Sequence, residues 1–122
     1  MTASVLSIGT ELTRGELVNT NAAWLGEELT KLGFEVVEHA TVDDDLDRIV
    51  TLILRFASTE RVVVVTGGLG PTSDDLTTEA AAKAAGVGLF RDENVVEGIR
   101  QKFKLFGRVM PESNAKQGDF PE

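Results

Sequence analysis

The chain has 122 residues, a length that suits one domain with a single hydrophobic core. It contains no cysteine and one histidine, which excludes disulfide frameworks, thiolate metal sites and histidine-rich zinc sites. Its net charge of −8 predicts no binding to nucleic acid polymers or anionic membranes, because their phosphates would be repelled. Since no long apolar run and no basic leader are seen, we expect a cytoplasmic location.

Short apolar runs alternate with amphipathic helical patterns, which is typical of βαβ units around a mainly parallel sheet. The pattern predicts strands at 4–8, 34–42 and 62–65, and helices at 20–32, 46–57, 77–85 and 92–106. Four consecutive valines at 62–65 predict a strand in the middle of the sheet, covered on both faces. Residues 108–122 are polar and show no strand pattern. The predicted fold class is therefore α/β.

The loops that follow the three predicted strands contain the most unusual sequences of the chain. They are 9–11, 43–45 and 67–75. In an open parallel sheet, ligands bind outside the carboxyl ends of the strands. We therefore expect these three loops to converge on one site.

The third loop carries three glycines, Gly67, Gly68 and Gly70, between a predicted strand and a predicted helix. Glycines in this position allow backbone amides to approach a phosphate closely. The loop contains no lysine and fits neither the P-loop nor the dinucleotide-binding pattern. The alternative interpretation is that the glycines only form a tight turn from strand to helix.

Aspartates follow two of the strands, as the run 43–45 and as the pair Asp74 and Asp75. Carboxylates of this kind hold Mg²⁺ when substrate phosphates complete its coordination. A divalent metal, most simply Mg²⁺, would let an acidic protein bind a pyrophosphate. The alternatives are an N-cap role for Asp74 and a solvated helix start for 43–45. Glu11 is a poor turn residue and is expected to contact a ligand. Asn19 and Asn21 are predicted N-caps, with ligand contact as the alternative.

Five segments, taken in order, resemble the N-terminal domain of the CinA family of competence/damage-inducible proteins. They are SIGTEL at 7–12, NTN at 19–21, VDDD at 42–45, TGGLGPTSDDLT at 66–77 and NAKQ at 114–117. That domain belongs to the molybdopterin-binding superfamily, which includes MogA and MoaB. The resemblance covers essentially all of residues 1–122 and implies a single domain with a three-layer α/β/α fold.

The resemblance also implies an activity, the metal-dependent hydrolysis of ADP-ribose to AMP and ribose 5-phosphate. The implied catalytic residues are Asp44 and Asp75, which with Asp74 would also bind the metal. The implied substrate-binding residues are Gly9, Glu11, Gly67, Gly68, Gly70, Pro71, Thr72, Asn114 and Lys116. Two alternatives stay open: molybdopterin binding with adenylyl transfer, and a non-catalytic binding or oligomerisation domain.

The chain departs from the family pattern at two places. Asp43 stands where the family usually has glycine, and the chain stops at Glu122 where the family continues. We therefore expect a domain that is truncated at its C-terminal end and lacks the amidohydrolase domain of many CinA proteins. Because relatives form dimers or trimers, a homo-oligomer is expected, with a nucleotide or pterin as its small-molecule partner.

Overall fold

The computed structural model describes all 122 residues, from Met1 to Glu122. The strands are β1 (Thr2–Ile8), β2 (Glu35–Val42), β3 (Val62–Thr66), β4 (Leu89–Arg91) and β5 (Asp119–Pro121). The helices are α1 (Thr10–Thr13), α2 (Thr20–Lys31), α3 (Leu46–Thr59), α4 (Thr77–Ala85) and α5 (Glu93–Leu105), and a 3₁₀ helix spans Glu112–Gly118. None of these helices has the length and apolar character needed to cross a membrane.

The main sheet is parallel, and its strand order is β2-β1-β3. The central strand is β1, whose residues from Ala3 to Ile8 are all buried. The prediction that 62–65 forms the middle strand is therefore wrong, because β3 pairs with β1 alone and its valines are only half-buried. Its unbroken valine run has another cause. Val63 and Val65 pack on one side of the sheet and Val62 and Val64 on the other, so both faces are covered by helices.

Helices cover the sheet on its two faces, which confirms the three-layer α/β/α fold. On one face, Ala3 and Val5 of β1 pack against Ala22 and Leu29 of α2. On the other face, the core joins β1 and β2 to helices α3 and α4 through Leu6, Ile8, Val42, Ile49, Phe56 and Ala80. The side chains of β1 alternate between these two clusters, as the period of a strand requires.

The C-terminal segment has more structure than its sequence indicates. The prediction of no strand within 108–122 is wrong, because β5 pairs antiparallel with β4 and places Phe120 opposite Phe90. The rings of these two residues lie 6.1 Å apart between centroids. Strands of only three residues give no readable alternation, which explains the error. The 3₁₀ helix packs on α5 through a small cluster of Val96, Met110 and Ala115.

Candidate functional site

The three strands of the main sheet end at nearly the same level. Ile8 lies opposite Val42, and Ser7 lies opposite Thr66. The amide of Gly9 continues the pairing by donating to the carbonyl oxygen of Val42 at 2.9 Å. The loops at 9–11, 43–45 and 67–75 therefore begin at one edge of the sheet, as expected from the sequence.

Asp44 is held by the loop that follows β1. Its Oδ2 accepts a hydrogen bond from Thr10 Oγ1 at 3.0 Å and another from the Thr10 amide at 3.2 Å. The Asp44 amide donates in return to Thr10 Oγ1 at 3.3 Å. Both bonds to the carboxylate end on Oδ2, and none of the chain's hydrogen bonds ends on Oδ1.

The neighbours of Asp44 serve the start of α3. Asp45 is the N-cap residue and accepts from the Arg48 amide at 3.0 Å, while Asp43 forms an ion pair with the Arg48 guanidinium at 2.7 Å. The helix-start interpretation is correct for these two aspartates. Asn19 is likewise the N-cap of α2, accepting from Ala22, and its amide group donates to Ser7 Oγ at 2.8 Å. The N-cap prediction is wrong for Asn21, which lies within α2.

Gly67 and Gly68 are required by the path of the backbone. Their φ angles of 88° and 66° lie in the left-handed region. A Cβ on Gly67 would lie 2.1 Å from the Ile8 carbonyl oxygen, and one on Gly68 would lie 2.2 Å from Thr77 Oγ1. Thr77 fixes the turn because its hydroxyl donates to the Gly67 carbonyl at 2.5 Å. Both residues therefore form a tight turn from strand to helix, and the turn brings their backbone to the end of β1.

Asp75, like Asp44, is held by a threonine. In this case the threonine, Thr72, lies in the same loop as the aspartate. Its Oδ2 accepts from Thr72 Oγ1 at 2.7 Å and from the Thr72 amide at 2.9 Å. Partial burial raises the pKa of Asp75, but the Thr72 hydroxyl and amide, the Gly70 amide and the Lys116 charge together lower that pKa below its usual value. A Cβ on Gly70 would lie 2.7 Å from Oδ2, so glycine leaves the room that this carboxylate occupies.

Lys116 connects the 3₁₀ helix to the glycine loop. Its ammonium group donates to the carbonyl oxygens of Thr72 and Asp75. Gln117 makes a longer bond of 3.4 Å to the Leu69 carbonyl, and Asn114 donates to Gln117 at 2.9 Å. Lys116 therefore stabilises the backbone on both sides of the Asp75 turn.

Asp74 does not cap the next helix, because Leu76 precedes α4 and makes no side-chain cap bond. The N-cap interpretation is wrong, and the Asp74 side chain is exposed. No three His, Cys, Asp or Glu side chains come together in a group that could hold a metal ion. Because β1 lies between the strands that carry Asp44 and Asp75, the ends of those strands are separated by about 10 Å.

Two clefts open on either side of the glycine loop. The first has a volume of ≈ 240 Å³ and lies between the loop, α4, the 3₁₀ helix and the antiparallel β4–β5 pair. It is called the hairpin cleft here after that pair, although its two strands are joined through α5 and the 3₁₀ helix and not by a tight turn. Its lining includes Gly68, Leu69, Gly70, Asp75, Glu79, Leu89, Lys116, Asp119 and Phe120. The second, here called the α2 cleft, has a volume of ≈ 300 Å³ and is lined by Gly67, Glu11, Asn19, Thr20 and Asn21 among others.

The candidate residues are distributed unevenly over these clefts. Glu11 and Gly67 line the α2 cleft, and Gly68, Gly70, Asp75 and Lys116 line the hairpin cleft. The remaining candidates, Gly9, Asp44, Pro71, Thr72, Asp74 and Asn114, line neither cleft.

Four residues of this region were not predicted from the sequence. Thr10 and Thr77 hold the loops through their hydroxyls, and Glu79 and Phe120 line the hairpin cleft. A hydroxyl directly after a strand-terminal glycine was the available signal for Thr10. No local signal indicated Phe120, because its position depends on the β4–β5 pairing.

Comparison with known proteins places the chain in a family. A sequence model described as "Probable molybdopterin binding domain" matches residues 4–118. A CinA-like protein of Frankia casuarinae is 46% identical over 127 aligned positions, which cover all of this chain and 29% of that protein. The crystal structure of CinA from Thermoplasma acidophilum, a protein of unknown function, superposes with a TM-score of 0.90 at 38% identity, covering 98% of this chain and 70% of that one.

A more distant match supports the same grouping. MoaB of Thermus thermophilus, a molybdopterin biosynthesis enzyme, superposes with a TM-score of 0.64 at 25% identity, covering 67% of this chain and 53% of that one. The chain spans less than a third of the length of the curated relative from Frankia. The chain therefore belongs to the molybdopterin-binding domain family and is one of its CinA-like members.

Proposed function

We propose that this domain hydrolyses the pyrophosphate bond of ADP-ribose, in a metal-dependent reaction that yields AMP and ribose 5-phosphate. The observation that carries the proposal is the matched pair of carboxylates at the sheet edge. Asp44 and Asp75 are each held through Oδ2 by the amide and hydroxyl of one threonine. Held in this way, each aspartate offers its second oxygen to a ligand in a fixed orientation, which is the preorganisation that phosphoryl chemistry requires.

The donor set suits a hard divalent cation such as Mg²⁺. Asp44, Asp75 and the exposed Asp74 are carboxylates, the ligand type that Mg²⁺ prefers, but they form no cluster. Each would therefore supply one ligand at most, from its own side of β1, and water and substrate phosphates would complete the coordination. When bound, the metal would neutralise charge on the phosphate oxygens. The lowered pKa of Asp75 keeps this group ionised at neutral pH, which suits a metal ligand or a water-orienting group better than a proton donor.

The chain's own residues would orient the water molecule and hold the pyrophosphate. Asp44 would orient a water molecule, whose oxygen forms a bond to one phosphorus while the bond from that phosphorus to the bridging oxygen breaks. The bridging oxygen leaves with the other phosphate, and the two protons of the water are shared between the products and solvent. The Gly67–Gly70 backbone would lie along the pyrophosphate, and Lys116 would keep the loop in place through its bonds to two carbonyls.

The direct test is to incubate the purified chain with ADP-ribose and Mg²⁺ and to follow the products by ³¹P NMR. We expect equal amounts of AMP and ribose 5-phosphate, and no product when a chelator is added. Absence of product in the presence of Mg²⁺, or an unchanged rate with chelator, would contradict the proposal.

Pterin binding is the second candidate function, supported by the family description and by the similarity to MoaB. In that case the site would transfer an adenylyl group to molybdopterin. Quenching of pterin fluorescence on titration, without AMP release from ADP-ribose, would favour it. Self-association in sedimentation with neither ligand bound would favour the third alternative, a non-catalytic oligomerisation domain.

A further inference from the structure

We propose that the hairpin cleft binds the adenosine half of the substrate with the base stacked on Phe120, and that the α2 cleft takes the ribose phosphate half. This assignment rests on the proposed function, since it concerns the two halves of ADP-ribose. It involves residues of the paired strands β4 and β5 and of α4 that no sequence motif indicates.

The two clefts meet at the glycine loop. Gly67 lines the α2 cleft, and the next residue, Gly68, lines the hairpin cleft. ADP-ribose consists of two ribosyl groups joined by a pyrophosphate. A pyrophosphate lying over these two glycines would therefore direct one ribosyl group into each cleft.

The hairpin cleft has the surface that a purine base prefers. Leu69, Leu89 and Phe120 line it, and they remain 58%, 41% and 38% exposed. The Phe120 ring is supported by the ring of Phe90, at 6.1 Å between ring centroids with an interplanar angle of 42°. A ring supported in this way loses little freedom when a base stacks on it.

Glu79 supplies a polar contact beside this apolar surface. It lies on α4 in the hairpin cleft, and it takes part in none of the chain's ion pairs. Asp119, another acid of the same cleft, is occupied by Arg91 through bonds of 2.7 and 3.1 Å. Glu79 is therefore the carboxylate that can accept hydrogen bonds from the ribose hydroxyls of a nucleoside.

The α2 cleft differs in chemistry. It has no aromatic lining residue, because its apolar residues, Ile8, Leu12, Leu17 and Val18, are all aliphatic. Beside them it presents the polar side chains of Thr20, Asn21 and Glu11, which match the hydroxyls of a free ribose phosphate. No residue of this cleft offers a ring on which a base could stack. The contrast between the two linings determines which half of the substrate each cleft takes.

The test is isothermal titration with AMP and, separately, with ribose 5-phosphate, both in the presence of Mg²⁺. For Phe120→Ala we expect the Kd for AMP to rise about 5- to 150-fold, the usual effect of losing one base–aromatic stack, with the Kd for ribose 5-phosphate unchanged. Phe120→Leu, which keeps an apolar side chain at this position of β5, should show a smaller rise in the Kd for AMP. Glu79→Gln should weaken AMP binding alone.

Phe106→Ala is the matched control, because Phe106 is 80% exposed and lies outside both clefts. It should change neither affinity. The assignment is overturned if the wild-type chain binds no AMP, if the folded Phe120 variants bind AMP as tightly as the wild type, or if they lose both ligands equally.

Failure of this assignment can be told apart from failure of the proposed function. AMP binding that depends on Phe120, without hydrolysis of ADP-ribose, would contradict the hydrolase proposal and support the cleft assignment. Hydrolysis that is unaffected by the Phe120 and Glu79 substitutions would contradict the cleft assignment alone.

Discussion

Thr10 fixes Asp44 by donating two hydrogen bonds to a single carboxylate oxygen, from Oγ1 at 3.0 Å and from the amide at 3.2 Å. Thr72 does the same for Asp75, at 2.7 and 2.9 Å. The two aspartates follow different strands, β2 and β3, which lie on opposite sides of β1. The proposed site therefore depends on two threonines as much as on two aspartates.

Replacing Thr10 by valine keeps the shape of the side chain but removes the bond from its hydroxyl to Asp44 Oδ2 and the bond that the hydroxyl accepts from the Asp44 amide. Only the bond from the Thr10 amide to Oδ2 remains. Hydrogen bonds to charged groups contribute about 1.5–3 kcal/mol, so we expect the rate of AMP release to fall about 10- to 100-fold. Thr10→Ser keeps the hydroxyl and should retain most of the activity. Steady-state kinetics on both variants, with urea unfolding to check the fold, measure this difference. Equal activities of the serine and valine variants would contradict a positioning role.

Removal of the Thr72 hydroxyl should change the acid stability of the protein. Because the folded-state pKa of Asp75 lies below its usual value, the ionised group stabilises the fold above about pH 4, and this contribution is lost as the pH falls through the lowered pKa. Thr72→Val raises that pKa towards the unfolded value. The variant should therefore lose less stability than the wild type as the pH falls from about 5 through the lowered pKa of Asp75.

Two measurements check this expectation. NMR titration of the Asp75 carboxyl carbon should give a higher midpoint in Thr72→Val than in the wild type, and urea unfolding at several pH values should give a shallower decline. Thr72→Ser, which keeps the hydroxyl, serves as the control and should behave as the wild type does. Identical midpoints in the valine variant and the wild type would show that Thr72 does not set the pKa of Asp75.

Gly67 and Gly107 share a positive φ, of 88° and 69°, but differ in their surroundings. A Cβ on Gly67 would lie 2.1 Å from the Ile8 carbonyl oxygen, whereas nothing lies within 4 Å of one on Gly107. Gly107→Ala should cost about 1 kcal/mol of unfolding free energy, from the left-handed backbone alone. Gly67→Ala should cost about 3 kcal/mol or more, because the end of β1 must also move. Chemical denaturation of both variants measures the difference, and equal losses would contradict the close packing of this turn.

The sequence predicted the helices whose apolar residues recur at helical spacing over several turns, and those that end at a glycine. Helix α4 was predicted at its observed bounds because Gly86 ends it, with a φ of 69°. The order of the strands could not be predicted in the same way. The valine run of β3 indicates two covered faces, and an outer strand with helices on both sides satisfies that pattern as well as a central strand does.

The sequence predicted which loops meet at the candidate site, but it predicted few of the hydrogen bonds between them. The acidic segments 43–45 and 74–75 followed from their positions after strands, and the choice of Asp44 and Asp75 within them came from the family resemblance. The threonines that hold these two aspartates depend on loop geometry. The hairpin cleft was missed because Phe120 reaches it through pairing between β4 and β5, across about 30 residues of chain. Lys116 was expected at the substrate, and the structure shows its ammonium group bound to two loop carbonyls.

The most direct test of the proposed activity is the rate of AMP release from ADP-ribose by Asp44→Asn and Asp75→Asn, measured with Mg²⁺ beside the wild type. Asp47→Asn is the matched control, since the Asp47 side chain is 88% exposed and makes only a long ion pair of 3.4 Å to Lys83. We predict that each site variant loses at least about 100-fold in rate while remaining folded, and that the control keeps the wild-type rate. Folded Asp44→Asn and Asp75→Asn proteins that release AMP as fast as the wild type would contradict the assignment of these two carboxylates to the active site.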